Sequence, residues 1–333
     1  AEIEYLFDAV RRHVGGQQGG YYLFGHSAGA QFAHRLATFL REPRTIAAVA
    51  ANAGWYTLPV AGERPEHTMP YGLNGAPEDL QDLSSLFGMP LSVMLGERDT
   101  TTPDTDRLVR GTSEAMAQGS HRLARGQFYF SSAQERAREL DRPFNWRLAV
   151  VPRAAHDAAQ MIDSAAYHLF EPNETPCDPE PALDDSGIRI TEILADPPDG
   201  EIGDANGDGV RDPADDEFVE IVNVGPRAVC LAGWALGDID NPERHVFPLG
   251  SVLEPGAAMV VFGGGVPTGD FGGAATLTAS FDGRLSLSNR GDVLSLRDVD
   301  DAIVARVSWG DCGGRHCALD HFPEHLGIEA SLT

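Results

Sequence analysis

The sequence predicts two folds in one chain, an α/β unit with a parallel sheet and flanking helices, followed by an all-β sandwich. Three observations carry this. Up to Phe170, short and nearly unbroken apolar runs alternate with helix-period stretches, the pattern of strands buried on both faces of a parallel sheet. At Glu171 the composition breaks: residues 171–181 hold four prolines and four acids, which makes a stiff, extended segment. Beyond it helical periodicity disappears, and short segments of alternating polarity are divided by Gly and Pro turns, as in a sandwich.

Taken in order, residues 1–12 read as an amphipathic helix, and Tyr21–Phe24 as a short buried strand. A helix is expected from Ala28 to about Arg41 and a strand over Thr45–Ala50. Further strands are expected over Leu91–Leu95 and Trp146–Val151, with helices over Ser131–Leu140 and Asp157–Phe170. The domains are therefore 1–172, a linker over 173–187, and 188–333. Strands in the last part are expected over Ile188–Leu194, Phe218–Asn223, Met259–Phe262, Val293–Arg297 and Ile303–Ser308.

With 333 residues the chain is long enough for two cores of ordinary size. Apolar residues make up 42%, and no run approaches the roughly 18 residues needed for a membrane span, so no transmembrane segment is expected. The chain opens mid-helix on Ala1, without a basic start and an apolar stretch. That opening suggests a processed or truncated sequence, and the missing leader does not decide the compartment. The net charge of −25 is uneven: residues 1–172 hold 20 acids against 16 arginines, residues 173–333 hold 30 against 9. A half this acidic repels nucleic acid and anionic lipid and attracts cations. Lysine is absent, which a coding bias explains better than a function does.

Gly25-His26-Ser27-Ala28-Gly29 follows a strand and opens a helix. The motif is weak alone, and this context gives it meaning, because a serine on a tight strand-to-helix turn is exposed for nucleophilic attack. The same turn aims amides at the helix N-terminus, where a developing oxyanion is stabilised; the Ala28 N–H is one candidate donor. Ser27 needs a base, and the base an orienting acid, each on a loop after a later strand. Asp99 follows the Leu91–Leu95 strand, and His156 follows the Trp146–Val151 strand. Glu97 and Asp104 compete with Asp99 from the same loop. His26, His34 and His67 are weaker candidates for the base, and Ser27 as a plain helix cap is the alternative role. Trp55 and Tyr56 follow the Thr45–Ala50 strand on the side where such a site opens, as walls of an acyl pocket or as ordinary loop packing.

These stretches resemble the α/β-hydrolase superfamily, and more narrowly bacterial esterases related to polyhydroxybutyrate depolymerases. The carriers are Phe24–Phe32, Ala51–Tyr56, Leu95–Thr100 and Val151–Asp157. The resemblance covers residues 1–172 and implies a partial α/β-hydrolase sheet acting on an ester, small or polymeric. Such enzymes place several strands before the serine turn, and one early loop donates a second oxyanion N–H. Only about twenty residues precede it here, so the unit is expected to lack its first strands, to carry an open edge at Tyr21–Phe24, and to be a poor catalyst alone.

In the second half, Asp204, Asn206, Asp208, Asp212 and Asp215 supply side-chain oxygens at positions 1, 3, 5, 9 and 12 of a twelve-residue loop. Gly209 stands at the sharp turn at position 6, and Val210 offers its carbonyl at 7, the pattern of a Ca²⁺ loop. Strands flank it, so a calcium-loop insertion is expected, against the alternative of a plain solvated acidic loop. Around it, Ile190–Leu194, Asp216–Asn223, Leu231–Leu236, Phe247–Gly250, Leu253–Gly256, Val260–Gly263 and Leu287–Asp292 resemble the lamin-tail domain, an immunoglobulin-like sandwich. The resemblance covers about 188–310 and implies a binding or attachment module, with Trp234 in the core. Arg290-Gly291-Asp292 reads as a hairpin turn rather than an adhesion motif.

Cys177, Cys230, Cys312 and Cys317 allow three pairings, and sequence does not choose among them. Cys312 and Cys317 close a short loop that suits a disulfide of an exported protein. With His316, His321 and His325 they also suggest zinc, though the spacing fits no standard pattern, and free thiols remain open. The expectation is an exported serine ester hydrolase, extracellular or at the cell surface or periplasm, tethered to a surface or polymer by its β domain. Structural Ca²⁺ is expected in that domain and no cofactor in catalysis. The competing expectation is a surface-binding protein whose hydrolase fold has lost turnover.

Overall fold

Four nearly uninterrupted apolar segments form the first sheet: β1 (Tyr21–His26), β2 (Thr45–Ala51), β3 (Leu91–Gly96) and β4 (Trp146–Val151). The computed structural model describes residues 2–40, 44–77, 83, 85–170, 177–183, 186–280, 284–312 and the backbone of 320–322. All four strands are parallel and lie in chain order, β1-β2-β3-β4. Parallel neighbours require crossovers, and helices supply two of them: α2 (Ala28–Phe39) joins β1 to β2, and α4 (Arg122–Glu139) joins β3 to β4. Alternation along the strands explains why both faces are apolar. Ala48, Ala50, Leu91, Val93 and Leu95 pack with Ala30, Ala33 and Ala37 of α2 and Tyr129, Ala133 and Ala137 of α4. The intervening Ser92 faces the other way, where its Oγ lies 3.4 Å from His168 Nδ1 of α5 (Ala159–Phe170).

The opening helix α1 (Glu2–Val14) buries none of its residues fully. Arg44 holds it beside β1 through Glu4 (2.5 Å) and Asp8 (2.6 Å), and Tyr21 Oη donates to Glu4 at 2.7 Å. β1 pairs only with β2 among the described residues, so it is an outer strand, with Tyr22 41% exposed. Helix α4 starts nine residues before the expected Ser131. Gly126, a poor helix residue, lies inside it because a Cβ there would stand 2.2 Å from Leu95 Cδ2. A short helix α3 (Ser113–Gln118), capped by the Thr112 side chain, has no counterpart among the expected elements.

The second compact unit runs from Thr175 to Thr333, the first from Ala1 to Glu174. One sheet has the order β12-β11-β6-β5, from Ala275–Thr278, Ala258–Phe262, Phe218–Asn223 and Ile188–Leu194. The other has the order β15-β14-β13-β8-β9, from Asp320–Phe322, Ile303–Gly310, Gly291–Arg297, Ala235–Gly237 and His245–Val246. A small ribbon pairs β7 (Val229–Cys230) with β10 (Val252–Leu253). Pairing is antiparallel except β11 with β12 and β14 with β15. Inward residues at period two (Ile188, Ile190, Val219, Ile221, Leu294, Leu296) close on Trp234, which is fully buried. Gly291 opens β13 after a turn at Asn289 and Arg290.

Part of the span expected as a linker is anchored to this unit. Cys177 is bonded to Cys230, Trp234 Nε1 donates to Glu180 O at 3.0 Å, and Ala182 N–H donates to Asp298 at 2.9 Å. Cys312 is also disulfide-bonded, and Cys317 lies outside the described residues. Among the described residues no helix is long and apolar enough to cross a membrane.

Candidate active site

After β1 the chain must turn into α2 within one residue, and Ser27 makes that turn with φ 55° and ψ −111°. A non-glycine residue held there costs about 1–3 kcal/mol, so its surroundings must fix it. The Ser27 N–H donates to Ala51 O at 2.9 Å, and its carbonyl accepts from Gln31 N–H at 3.1 Å. Gly25 is required, because a Cβ there would stand 2.2 Å from Gly29 O. Gly29 has open space around it, so packing demands only the first glycine of the motif. Ala28 is the first residue of α2, where a backbone N–H has no acceptor within the helix.

The loops after β3 and β4 bring the other two residues to Ser27. His156 Nε2 lies 3.0 Å from Ser27 Oγ, and His156 Nδ1 lies 2.8 Å from Asp99 Oδ2. The Asp99 side chain is wholly buried, whereas that of His156 keeps 26% exposure. Glu97 is committed elsewhere, accepting from Arg153 N–H at 2.8 Å, and Asp104 is exposed. His26 packs its ring 4.7 Å from that of His156. Burial, then the nearby His156, holds His26 below the usual histidine range. His34 is a core residue: Nδ1 meets Ala30 O at 2.8 Å, Nε2 accepts from Thr57 N–H at 3.0 Å, and burial pushes it down to about 3. His67 ends a short turn, Pro65–His67. Tyr56 is also core, stacked on Tyr129 at 4.5 Å, while Trp55 packs on Tyr71 at 4.9 Å.

Two residues near the site were not singled out by the sequence. Asn52, at φ 54°, clips two of the loops: Oδ1 accepts from Gly96 N–H at 2.7 Å, and Nδ2 donates to Ala155 O at 3.2 Å. Arg122 donates from Nη1 to Asp99 Oδ1 at 3.1 Å, the oxygen that His156 does not use. Asn52 lies in the Ala51–Tyr56 stretch that carries the resemblance, but nothing in that stretch assigned it this role, and Arg122 is one arginine among 25.

In the β unit, the acidic loop is ordered by its own backbone. Asp204 Oδ2 accepts from Gly209 N–H at 2.9 Å, Asn206 Oδ1 from Asp208 N–H at 3.0 Å, and Asp208 Oδ1 from Val210 N–H at 2.9 Å. Asp212 Oδ1 accepts from Ala214 and Asp215 N–H, which lowers its affinity for a proton. Burial and then the nearby Asp212 push Asp215 above the usual carboxylate range. Among the described residues no three His, Cys, Asp or Glu side chains stand together in position to share a metal ion, yet Asp204 Oδ1 is buried without a partner. At the other end of the chain, His316, Cys317 and His325 lie outside the described residues, as does the side chain of His321.

No curated protein matches the chain. Its structural neighbours include poly(aspartic acid) hydrolase-1 from Sphingomonas sp. KT-1, at 39% identity and a TM-score of 0.45, over 50% of this chain and 60% of that one. They also include a poly(3-hydroxybutyrate) depolymerase from Bordetella parapertussis, at 34% identity and a TM-score of 0.45, over 53% of this chain and 57% of that one. The chain thus spans about three fifths of the length of these neighbours. Residues 182–311, the β unit without its ends, match the family model of the Lamin Tail Domain.

Proposed function

We propose that the first unit is a serine hydrolase cleaving a carboxylic ester, and that the β unit is its binding module toward a surface or polymer. One observation supports this above all: an unbroken line of hydrogen bonds from Ser27 Oγ through His156 to a buried Asp99, at 3.0 and 2.8 Å. In that line Ser27 Oγ attacks the ester carbonyl carbon and His156 Nε2 takes its proton. Asp99 keeps Nδ1 protonated and the ring turned toward Ser27, and the Ala28 N–H donates to the oxyanion. The proton on Nε2 then passes to the leaving alkoxide, and water reverses the sequence to free Ser27.

A fluorophosphonate probe tests this without knowledge of the substrate. The wild-type chain is expected to be labelled at Ser27 and the Ser27→Ala variant not to be. A folded wild type that resists the probe leaves the chain as a binding protein with a spent hydrolase fold. The Cys177–Cys230 bridge supports an oxidising, extracytoplasmic setting.

We also propose that Ca²⁺ binds the loop through Asp204, Asn206, Asp208, Asp212, Asp215 and the Val210 carbonyl. Support comes from Asp204 Oδ1, a hard oxygen buried with no hydrogen-bond donor, beside a neighbour oxygen already satisfied. Calorimetric titration is expected to show binding with Kd below about 1 mM, the range of extracellular modules. No heat at millimolar Ca²⁺ removes the ion from the β unit.

A further inference from the structure

The two oxygens of Asp99 are divided between two partners, and only one belongs to the proposed triad. Oδ2 faces His156; Oδ1 accepts from Arg122, whose side chain is 5% exposed. Arg122 is the first residue of α4, where the helix dipole disfavours a cation, so helix formation does not explain it. The helix start is itself pinned to the Asp99 loop, since Leu123 N–H donates to Asp99 O at 3.2 Å. We propose that Arg122 is a positioning residue of the triad, fixing the rotation of the Asp99 carboxylate and offsetting part of its charge toward His156. This rests on the serine-hydrolase proposal and adds to it a fourth side chain.

The physics is that of a shared counter-charge. Alone with a buried carboxylate, an imidazole is driven toward its protonated form, which cannot accept the Ser27 proton. A guanidinium on the far oxygen cancels part of that pull while the hydrogen bond to Nδ1 persists. The other titratable groups around His156 are His26, in ring contact, and Asp157, next in the chain; Arg125 follows Arg122 one turn along α4. All three are constant across the variants below.

The test is the rate of fluorophosphonate labelling as a function of pH for wild type, Arg122→Gln and Arg122→Lys, with melting curves to confirm folding. Arg122→Gln is expected to label at least about tenfold more slowly near neutrality, with the acid limb of its profile displaced upward by about one pH unit. Arg122→Lys keeps the charge without the fork and is expected to recover most of the rate, with the limb at its wild-type position. A folded Arg122→Gln with an unmoved acid limb overturns the inference while leaving Ser27 reactive. Should Arg122→Gln not fold, Arg122→Lys decides: a folded Lys variant with a displaced limb overturns the inference, and an unmoved limb with most of the rate supports it. A wild type that does not label removes the hydrolase proposal and this inference together.

Discussion

The two units use the same side chain, aspartate, for opposite purposes. Asp99 in the α/β unit is buried among side chains and meets one cation and one imidazole. Asp298 in the β unit is equally buried, at 2% exposure, and holds backbone: Ala182, Asp300 and Ala302 N–H all donate to it. Asp216 follows the second pattern, accepting from Asn206 and Asp212 N–H, whereas Asp238 combines the two, accepting from Asp240 and Asn241 N–H and from Arg244. In the α/β unit Ser27, Asn52 and Arg153 take positive φ just after β1, β2 and β4, around the proposed site, and Asp141 does so after α4; in the β unit Phe271, Ser286, Asp301 and Cys312 do so. Asp99 is thus held by side chains that carry charge or titrate, and Asp298 by backbone amides.

The sharpest way to break this contrast is to neutralise one aspartate of each kind. Asp99→Asn is expected to slow Ser27 labelling by roughly 10⁴-fold in a chain that still folds, because the amide presents the wrong donor to His156. Equal loss of rate and of folded protein would erase the distinction. Asp298→Ala leaves three amides without an acceptor and is expected to cost the β unit about 3 kcal/mol, a fall of about 10 °C in its transition by calorimetry. Labelling at Ser27 should be untouched.

The smallest effect is a dependence on pH. Burial pushes the Glu217 carboxyl up to about 7, against an ordinary value of 4.5. Between those values the folded form holds a proton that the unfolded chain has lost, so this group's contribution to stability falls as pH rises through that window. Glu217→Gln, which keeps the oxygen that accepts from Leu287 N–H, is expected to flatten the decline in the β unit's melting temperature from pH 5 to pH 8. In the α/β unit the slope has the other sign. Burial holds His34 near 3 and His168 near 4, so their contribution to stability is lost as pH falls below about 6.5. A Glu217→Gln variant with the wild-type slope would assign the trend elsewhere.

Most of the scaffold was legible because its signals are local. β1 to β4 are apolar runs bounded by Gly, Pro and polar residues, and Ser27, Asp99 and His156 each follow one of them in the order that the fold demands. What escaped was set by contacts far apart in sequence. The start of α4 was hidden by Gly126, a helix-weakening residue whose reason is the Leu95 side chain beneath it. Asn52 and Arg122 act across 44 and 23 residues, through hydrogen bonds no spacing encodes. The Cys177–Cys230 pairing depended on where the extended segment meets β7, which four cysteines alone do not reveal.

That bridge also decides how the β unit answers to a pull. Cys177 stands at the entrance of the unit, and its sulfur leads straight to Cys230. Tension entering there and leaving by the later strands crosses the sulfur link and skips residues 178–229. Strands β5 and β6 and the acidic loop therefore lie on a covalent branch that such a load bypasses.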